Sequence, residues 1–387
     1  MNILRRASTT RLLIGIGLVV AVAVAAGIAL AGRSGPVPPK RSLAAAIHHS
    51  LAGPRPTGVS ARIRFSNHLF ASGALPQGDQ PLLAGASGRL WAGGGRVRLE
   101  LQSSNGDTEI GFDGRTVIVY DVSSNTAYEM RVPQRHHAES GDHAHHVPSL
   151  AEIQRGLARI AEHATLSGAI PGDTAGQPSY TVRISPQHDA GLLGAVELAF
   201  DADRAVPLKL AVYSQGDSSP VLALSVTDIS FGPVSSSDTA VTPAASAKIV
   251  RVHPPAPDRL RGSGYGAAAV TGVQAVSHAL PFPLSAPRTL VGVPRQAVRL
   301  VDGAGSPGAM IVYGRGLGAI VLLEQPVSGR DAGPLGSLPA VSIDGASGHE
   351  LATALGTVIQ FDRGGVRYTL AGSLPSAAAE AAARAIG

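Results

Sequence analysis

The sequence predicts an α+β protein that is mainly antiparallel β, with an apolar N-terminal transmembrane helix and a small α+β C-terminal domain. Three observations predict it. Apolar and polar residues alternate over short runs, as Val97, Leu99 and Leu101 do with Arg96, Arg98 and Glu100, and a period of two gives a strand one dry and one wet face. Tight-turn signals separate the runs: Gly93-Gly94-Gly95, Asn105-Gly106-Asp107, Asp113-Gly114 and Ser123-Ser124-Asn125. Helical periodicity is confined to a few short segments.

Composition bounds the answer. The chain has 387 residues, 44% hydrophobic and 15% charged, enough for packed cores in two domains and incompatible with wholesale disorder. It has no cysteine. That excludes disulfides, iron–sulfur centres, thiolate zinc sites, a cysteine nucleophile and the lipidated cysteine of a lipoprotein. The net charge is +5 and the pI about 9.8. Arg5, Arg6, Arg11, Arg33, Lys40 and Arg41 carry six of the 32 basic residues with no acid among them, which leaves 26 against 27 acidic residues elsewhere. The basicity belongs to a membrane-targeting end, and no nucleic-acid partner is expected.

Residues 1–11 are read as a cytoplasmic N-terminus. Leu12 to Gly32 carries no charge, and about 20 helical residues at ~1.5 Å each span a bilayer core. The arginines in front of it favour a cytoplasmic start, so the chain is expected to be a single-pass protein of the cell membrane with its bulk extracytoplasmic. Ala29-Leu30-Ala31 also offers a signal-peptide cleavage site; the length of the apolar run favours an uncleaved anchor. Residues 33–41, with Gly35-Pro36-Val37-Pro38-Pro39, form a stiff spacer.

Ser42 to Leu51 reads as a short helix with Ser42 as its N-cap. Strands follow, including Ile110 and Phe112 against Glu109 and Asp113, and Tyr128, Met130 and Val132 against Glu129 and Arg131. A polar, histidine-rich break at Gln134 to Pro148 precedes an amphipathic helix over Ser149 to His163, with Leu150, Ile153, Leu157 and Ile160 on one stripe and a Ser149/Glu152 capping box. Strands resume around Tyr180–Ile184, Val196–Phe200, Leu208–Val212 and Leu222–Val226. Residues 42–232 thus form a first domain. Residues 233–262, rich in Ser, Thr, Ala and Pro, form a linker with a possible strand at Lys248 to Val252. In residues 263–387 we expect a helix at Ala267 to Ala279 ended by Pro281, strands at Ala309–Tyr313 and Ala319–Glu324, a hairpin from Thr357 to Ala371, and an alanine-rich helix from Ala377 to Ile386.

About nine alternating strands with two helices leave two architectures open: a closed barrel or sandwich filled by its own side chains, or a half-open barrel with helices across its mouth and an apolar cavity. Alternation puts Val97, Leu99, Leu101, Ile110, Phe112, Val196, Leu198 and Phe200 on one face, and these are the candidate cavity residues.

The stretch Gly88-Arg89-Leu90-Trp91 through Arg96-Val97-Arg98-Leu99-Glu100, then Gly111-Phe112-Asp113-Gly114-Arg115 and Thr126-Ala127-Tyr128, resembles the LolA-like superfamily of bacterial lipoprotein carriers. That superfamily also includes the sensor domain of RseB-type sigma-factor regulators. Phe200-Asp201-Ala202-Asp203 followed by Pro207-Leu208-Lys209-Leu210 is similar to its strand–turn–strand hairpin. The resemblance covers roughly residues 42–232 and rests on turn chemistry, for which Asp113-Gly114 and Asp201 also have a purely structural role. It implies a half-open β-barrel that shields acyl chains without catalysis, with a lipid or acylated lipoprotein as partner. The anchor and the second domain depart from a diffusing carrier. They favour a tethered lipid binder or, alternatively, an RseB-like envelope sensor that regulates an anti-sigma factor through protein contacts.

Other constellations carry less. His136, His137, His143, His145 and His146 fall within eleven residues, with Glu139 and Asp142 among them. They could form a metal-buffering or pH-sensing loop, or a solvated insertion with opportunistic metal affinity, since their spacing matches no compact zinc motif. Gly303-Ala304-Gly305-Ser306-Pro307-Gly308 fits a dinucleotide-loop pattern, but a strand-like run follows where a helix is needed, so a turn is expected. The glycine runs at 262–266 and 314–318 are read as turns too. His349-Glu350 is no zinc-protease motif, because Thr353 stands where the second histidine should be. There is no Walker loop and no G-x-S-x-G elbow, so no cofactor and no enzymatic activity are expected. Trp91, the only tryptophan, shares strand parity with Arg89 and reads as core or rim packing.

Deleting Arg135 to His146 removes few apolar groups and should leave cooperative melting intact, with a cost of roughly 0.5 kcal/mol or less. Loss of the cooperative transition would show the loop to be structural. Micromolar zinc binding that vanishes in the same variant would select the metal reading.

Overall fold

A computed structural model describes residues 37–70, 85–104, 106–132, 147–187, 191–252, 270–303, 306–327 and 338–386. The apolar segment 12–32 and the five clustered histidines lie outside these residues. Among the described residues no helix is long and apolar enough to cross a membrane.

Helix α1 (Leu43–Ala52) starts at Ser42, whose hydroxyl accepts the Ala45 amide at 3.3 Å. A meander follows: β1 (Gly58–Asn67), β2 (Ala86–Gly93), β3 (Arg96–Ser103), β4 (Gly106–Phe112), β5 (Thr116–Asp121) and β6 (Thr126–Arg131). The turns hold as their residues dictate. The Asp113 carboxylate accepts the amides of Arg115 and Thr116 at 2.8 and 2.6 Å, and Asp121 accepts those of Ser123 and Ser124. Gly94 and Gly95, at φ 57° and 74°, make the left-handed turn between β2 and β3. Helix α2 (Leu150–Ala161) opens on the expected Ser149/Glu152 capping box. Then come β7 (Ala164–Leu166), β8 (Ile170–Thr174), β9 (Gln177–Pro186), β10 (Leu193–Asp201), β11 (Pro207–Ser214) and β12 (Leu222–Phe231).

These strands form one sheet in the order β6-β5-β4-β3-β2-β1-β12-β11-β10-β9-β7, antiparallel throughout, with β8 also on β9. The seam is β1 with β12, which joins the two meanders. The sheet curls into a half-barrel: Val206 and Leu208 of the second limb lie in the same packed cluster as Val97, Leu99 and Ile110 of the first.

Residues 232–247 run back along the opposite face. A Cβ at Gly111 would lie 2.7 Å from Val241 Cγ2, the Ala244 amide donates to the Tyr120 hydroxyl, and Asn125 Nδ2 donates to Ser246 Oγ. This strap delivers β13 (Lys248–Val252) parallel to β6 at the sheet edge, so the short strand expected there exists.

The second sheet is larger than the sequence reading allowed. Helix α3 (Val273–Ala279) precedes β14 (Thr289–Leu290), β15 (Val293–Gly303), β16 (Ser306–Tyr313), β17 (Ile320–Pro326), β18 (Ala340–Ile343), β19 (Ala346–Thr353), β20 (Gly356–Arg363) and β21 (Val366–Gly372), and α4 (Ser376–Arg384) ends the chain. The strand order is β14-β15-β16-β17-β21-β20-β19-β18. Val276 of α3 and Ala379, Ala382 and Ala383 of α4 pack onto Ile311, Ile320, Leu322 and Ile359. Gly303 pairs with Ser306, so the two ends of the glycine pattern at 303–308 belong to adjacent antiparallel strands. The two sheets meet where the Ala354 amide donates to the Leu69 carbonyl at 2.8 Å and the Leu192 amide to Ser373 Oγ at 2.9 Å.

At Gly88 of β2 the backbone of β3 approaches closely. A Cβ there would lie 1.7 Å from the Glu100 carbonyl oxygen, and backbone cannot yield as a side chain can. Gly88→Ala should destabilise by about 1–3 kcal/mol, whereas Gly172→Ala, with nothing within 4 Å, should change stability by less than about 0.5 kcal/mol. Chemical denaturation of both checks the pair; equal effects would refute the close-approach argument.

Candidate functional site

Residues directly opposite in an antiparallel ladder share a face, so the registers trace one surface across the half-barrel. Tyr128 faces Val119, which faces Ile110, then Leu99, Leu90 and Ala61. Across the seam Phe65 faces Leu224, which faces Leu210, then Leu198 and Val182. Along these two rows the face is apolar, and it is the concave one; the neighbouring row from Leu101 runs through Thr108, Asp121 and Thr126.

The eight candidate cavity residues all lie on it, in four different settings. Leu99, Leu101 and Ile110 are buried to 2% exposure or less and are close-packed core. Val97 and Phe112 line a pocket at one end of the half-barrel. Val196 and Leu198 are half-buried, like their neighbours Leu210 and Val212. Phe200 lies under α1: Ala46 and Ile47 pack on Tyr180, Phe200 and Ala202, and the Tyr180 hydroxyl donates to the Pro39 carbonyl at 2.6 Å.

Of the two helices of the first domain, α1 packs on the concave face, and Ile153 and Leu157 of α2 are half-buried. Helix α2 has no buried residue; Leu150 and Ile160 are 42% and 46% exposed. Its contacts are with α1 and β7. The amphipathic pattern was read correctly, but periodicity says which side of a helix is apolar and not what that side meets. Trp91 lies on the outer face opposite Ser60 and Arg98, 5.7 Å from the Arg98 guanidinium.

The pocket has a volume of about 400 Å³. Its walls are the end of α1, the Arg55–Val59 entry to β1, the glycine turn before β3 and the Arg204–Val206 turn before β11. Sequence reading missed it, because its residues come from four distant segments. Pro54 and Pro56 flank Arg55 and restrict its backbone. Arg204 lies 3.6 Å from Asp201 and over the Phe231 ring at 4.3 Å. Burial raises the Asp201 pKa against the lowering effect of the Asp203 amide and Arg204.

Elsewhere the charges are paired structurally. Arg98 bridges Glu100 and Glu109 on the outer face. Burial acts against the Lys209 ammonium, but Glu197 at 2.6 Å outweighs it and raises the pKa. Among the described residues no three metal-ligating side chains converge. Among the described residues the strongly displaced carboxylate is Glu324 of β17, fully buried in the second sheet. Desolvation pushes its pKa up to about 7 although the Ser285 amide donates to Oε2 at 3.1 Å. Its other oxygen and the nearby Tyr313 hydroxyl have no hydrogen-bond partner. Glu324 is thus a buried carboxylate in the second sheet, opposite Tyr368.

No family model and no curated protein matches the chain. Solved structures do. They include MucB and a LolA superfamily protein. The Pseudomonas aeruginosa MucA/MucB complex is 16% identical with a TM-score of 0.42, over 89% of this chain and 95% of that one. MucB alone is 16% identical with a TM-score of 0.36, over 89% and 97%. A LolA superfamily protein from Nitrosomonas europaea is 12% identical with a TM-score of 0.20, over 52% of this chain and 99% of that one.

The raised Glu324 pKa has a stability consequence. The folded state holds the proton more tightly than the unfolded chain, whose value is 4.5. The stabilisation is therefore complete below pH 4.5 and is lost as pH rises to about 7, a change of about 3 kcal/mol at most. Glu324→Gln should flatten this slope in denaturation midpoints measured between pH 4 and pH 8. An identical slope in both proteins would show that another group titrates.

Proposed function

We propose that this chain is a membrane-tethered, extracytoplasmic, non-catalytic protein that binds a lipid or the acyl chain of a lipoprotein on its concave face. One observation carries the reading. Val196, Leu198, Leu210 and Val212 continue the apolar face of the core, yet they are half-buried and belong to none of its packed clusters. Apolar area left in water forgoes roughly 25 cal/mol per Å². An acyl chain laid along this row would recover about 0.8 kcal/mol per buried methylene. The tether is the Leu12 to Gly32 segment, with Arg5, Arg6 and Arg11 holding the N-terminus in the cytoplasm.

A second reading, an envelope sensor acting on an anti-sigma factor, is favoured by a different contact. Leu192 donates to Ser373 of the second sheet one residue before β10, the strand that carries Val196 and Leu198. Occupancy of the face would thereby reach the second sheet directly.

Native mass spectrometry of the protein extracted from membranes tests the first reading. The wild type should carry copurifying lipid, and Val196→Asp/Leu198→Asp should lose it while keeping a cooperative melt. A lipid-free wild type would remove the carrier reading and leave the sensor.

A further inference from the structure

We infer that the pocket at the end of the half-barrel receives the anionic head, a phosphate or carboxylate, of an amphiphile whose apolar part rests on the pocket's own floor at the edge of the concave face. The inference rests on the lipid-binding reading and adds the chemistry of the headgroup.

The pocket is divided by polarity. Its floor is Val59, Val97, Phe112 and Val206, which belong to or pack against the concave core. Its rim carries Arg55, Arg96 and Arg204, and no carboxylate lines it. A volume of about 400 Å³ falls within the range of small-molecule sites, roughly 300–1,000 Å³.

The nearby acids are engaged. Asp201 is buried and faces Arg204, so that arginine is partly neutralised. Asp203 lies 3.5 Å from His49 of α1. Asp113 acts on Arg96 through space, but its carboxylate is occupied by the Arg115 and Thr116 amides. The ion pairs among the described residues include neither Arg55 nor Arg96.

Both exposed arginines are held by backbone that restricts them, Arg55 between two prolines and Arg96 after the left-handed Gly94-Gly95 turn. A Cβ on either glycine would meet nothing within 4 Å, so the space over the turn is open. Guanidinium forks pair bidentately with phosphate and carboxylate. Two of them above an apolar floor match a molecule with one charged end and one apolar end.

The test uses the full-length protein in a non-ionic detergent. It is offered equimolar 1-myristoyl lysophosphatidic acid and monomyristin, which share a chain and differ in headgroup, and occupancy of each is read in one native mass spectrum. The phosphate-headed probe should be favoured by roughly tenfold, as expected for charge-assisted hydrogen bonds. In Arg55→Gln/Arg96→Gln the ratio should fall towards one; in Arg55→Lys/Arg96→Lys an intermediate preference should remain. Both positions are exposed. Equal occupancy of the two probes by the wild type overturns the headgroup inference and leaves the lipid reading standing. Binding of neither probe overturns the lipid reading itself. A third arm adds inorganic phosphate: displacement of the lysophospholipid at equal concentration would make this a free-phosphate site and overturn the amphiphile. An unchanged ratio in the glutamine variant would remove the arginines from the account.

Discussion

Strand register is the constraint on which the first sheet depends. A strand's side chains alternate between faces, so a slip of one residue would carry its whole apolar set to the wet side. Turn chemistry holds the register locally: Gly94-Gly95, the Asp113 carboxylate on two backbone amides, and Asp121 beside the left-handed Asn125. At two of the places where register shifts, Arg62/Ile63 in β1 and Ala199/Phe200 beside β11, the apolar face survives: Ile63 still meets Val226, and Phe200 still meets Tyr180 under α1.

The two limbs of that face end differently. On the first limb Leu99, Leu101 and Ile110 are closed off by Val206 and Leu208, which reach over from the second. On the second, Val196 and Leu198 of β10 and Leu210 and Val212 of β11 are half-buried. Small residues let the opposite face take a different cover. Gly111 admits Val241, and the strap that follows it supplies the parallel strand at the sheet edge. The curved sheet is thus bound along part of its outside by the strap, while its two limbs meet within through Val206 and Leu208.

Local features were legible in the sequence because local chemistry sets them. Ser42 and Ser149 capped their helices, the Asp113 turn formed, and the glycine pattern at 303–308 resolved into a hairpin because the run after it is strand-like. β1 went unread although Val59, Ala61, Ile63 and Phe65 alternate as plainly as β3. Non-local facts were out of reach. Nothing in residues 150–161 says that their apolar stripe meets little of the sheet. Nothing in residues 55, 96 and 204 says that they share a rim. Glu324 sits in an otherwise ordinary strand, and its burial becomes visible only once Tyr368 is opposite it and Ser285 is beside it.

The seam between β1 and β12 joins residues far apart in the chain, with Ser60 and Ser230 170 positions apart. Closing so long a loop costs entropy before the contacts that repay it exist, and such topologies fold slowly. A chain made from its N-terminus completes β1 to β6 long before β12 is available. During that interval β1 is an unpaired edge carrying Ile63 and Phe65, the kind of strand that pairs with a neighbouring molecule when its own partner is late. Assembly of this half-barrel therefore depends on the order in which its parts become available, and shielding of β1 until residue 231 is in place is the step at which aggregation competes with folding.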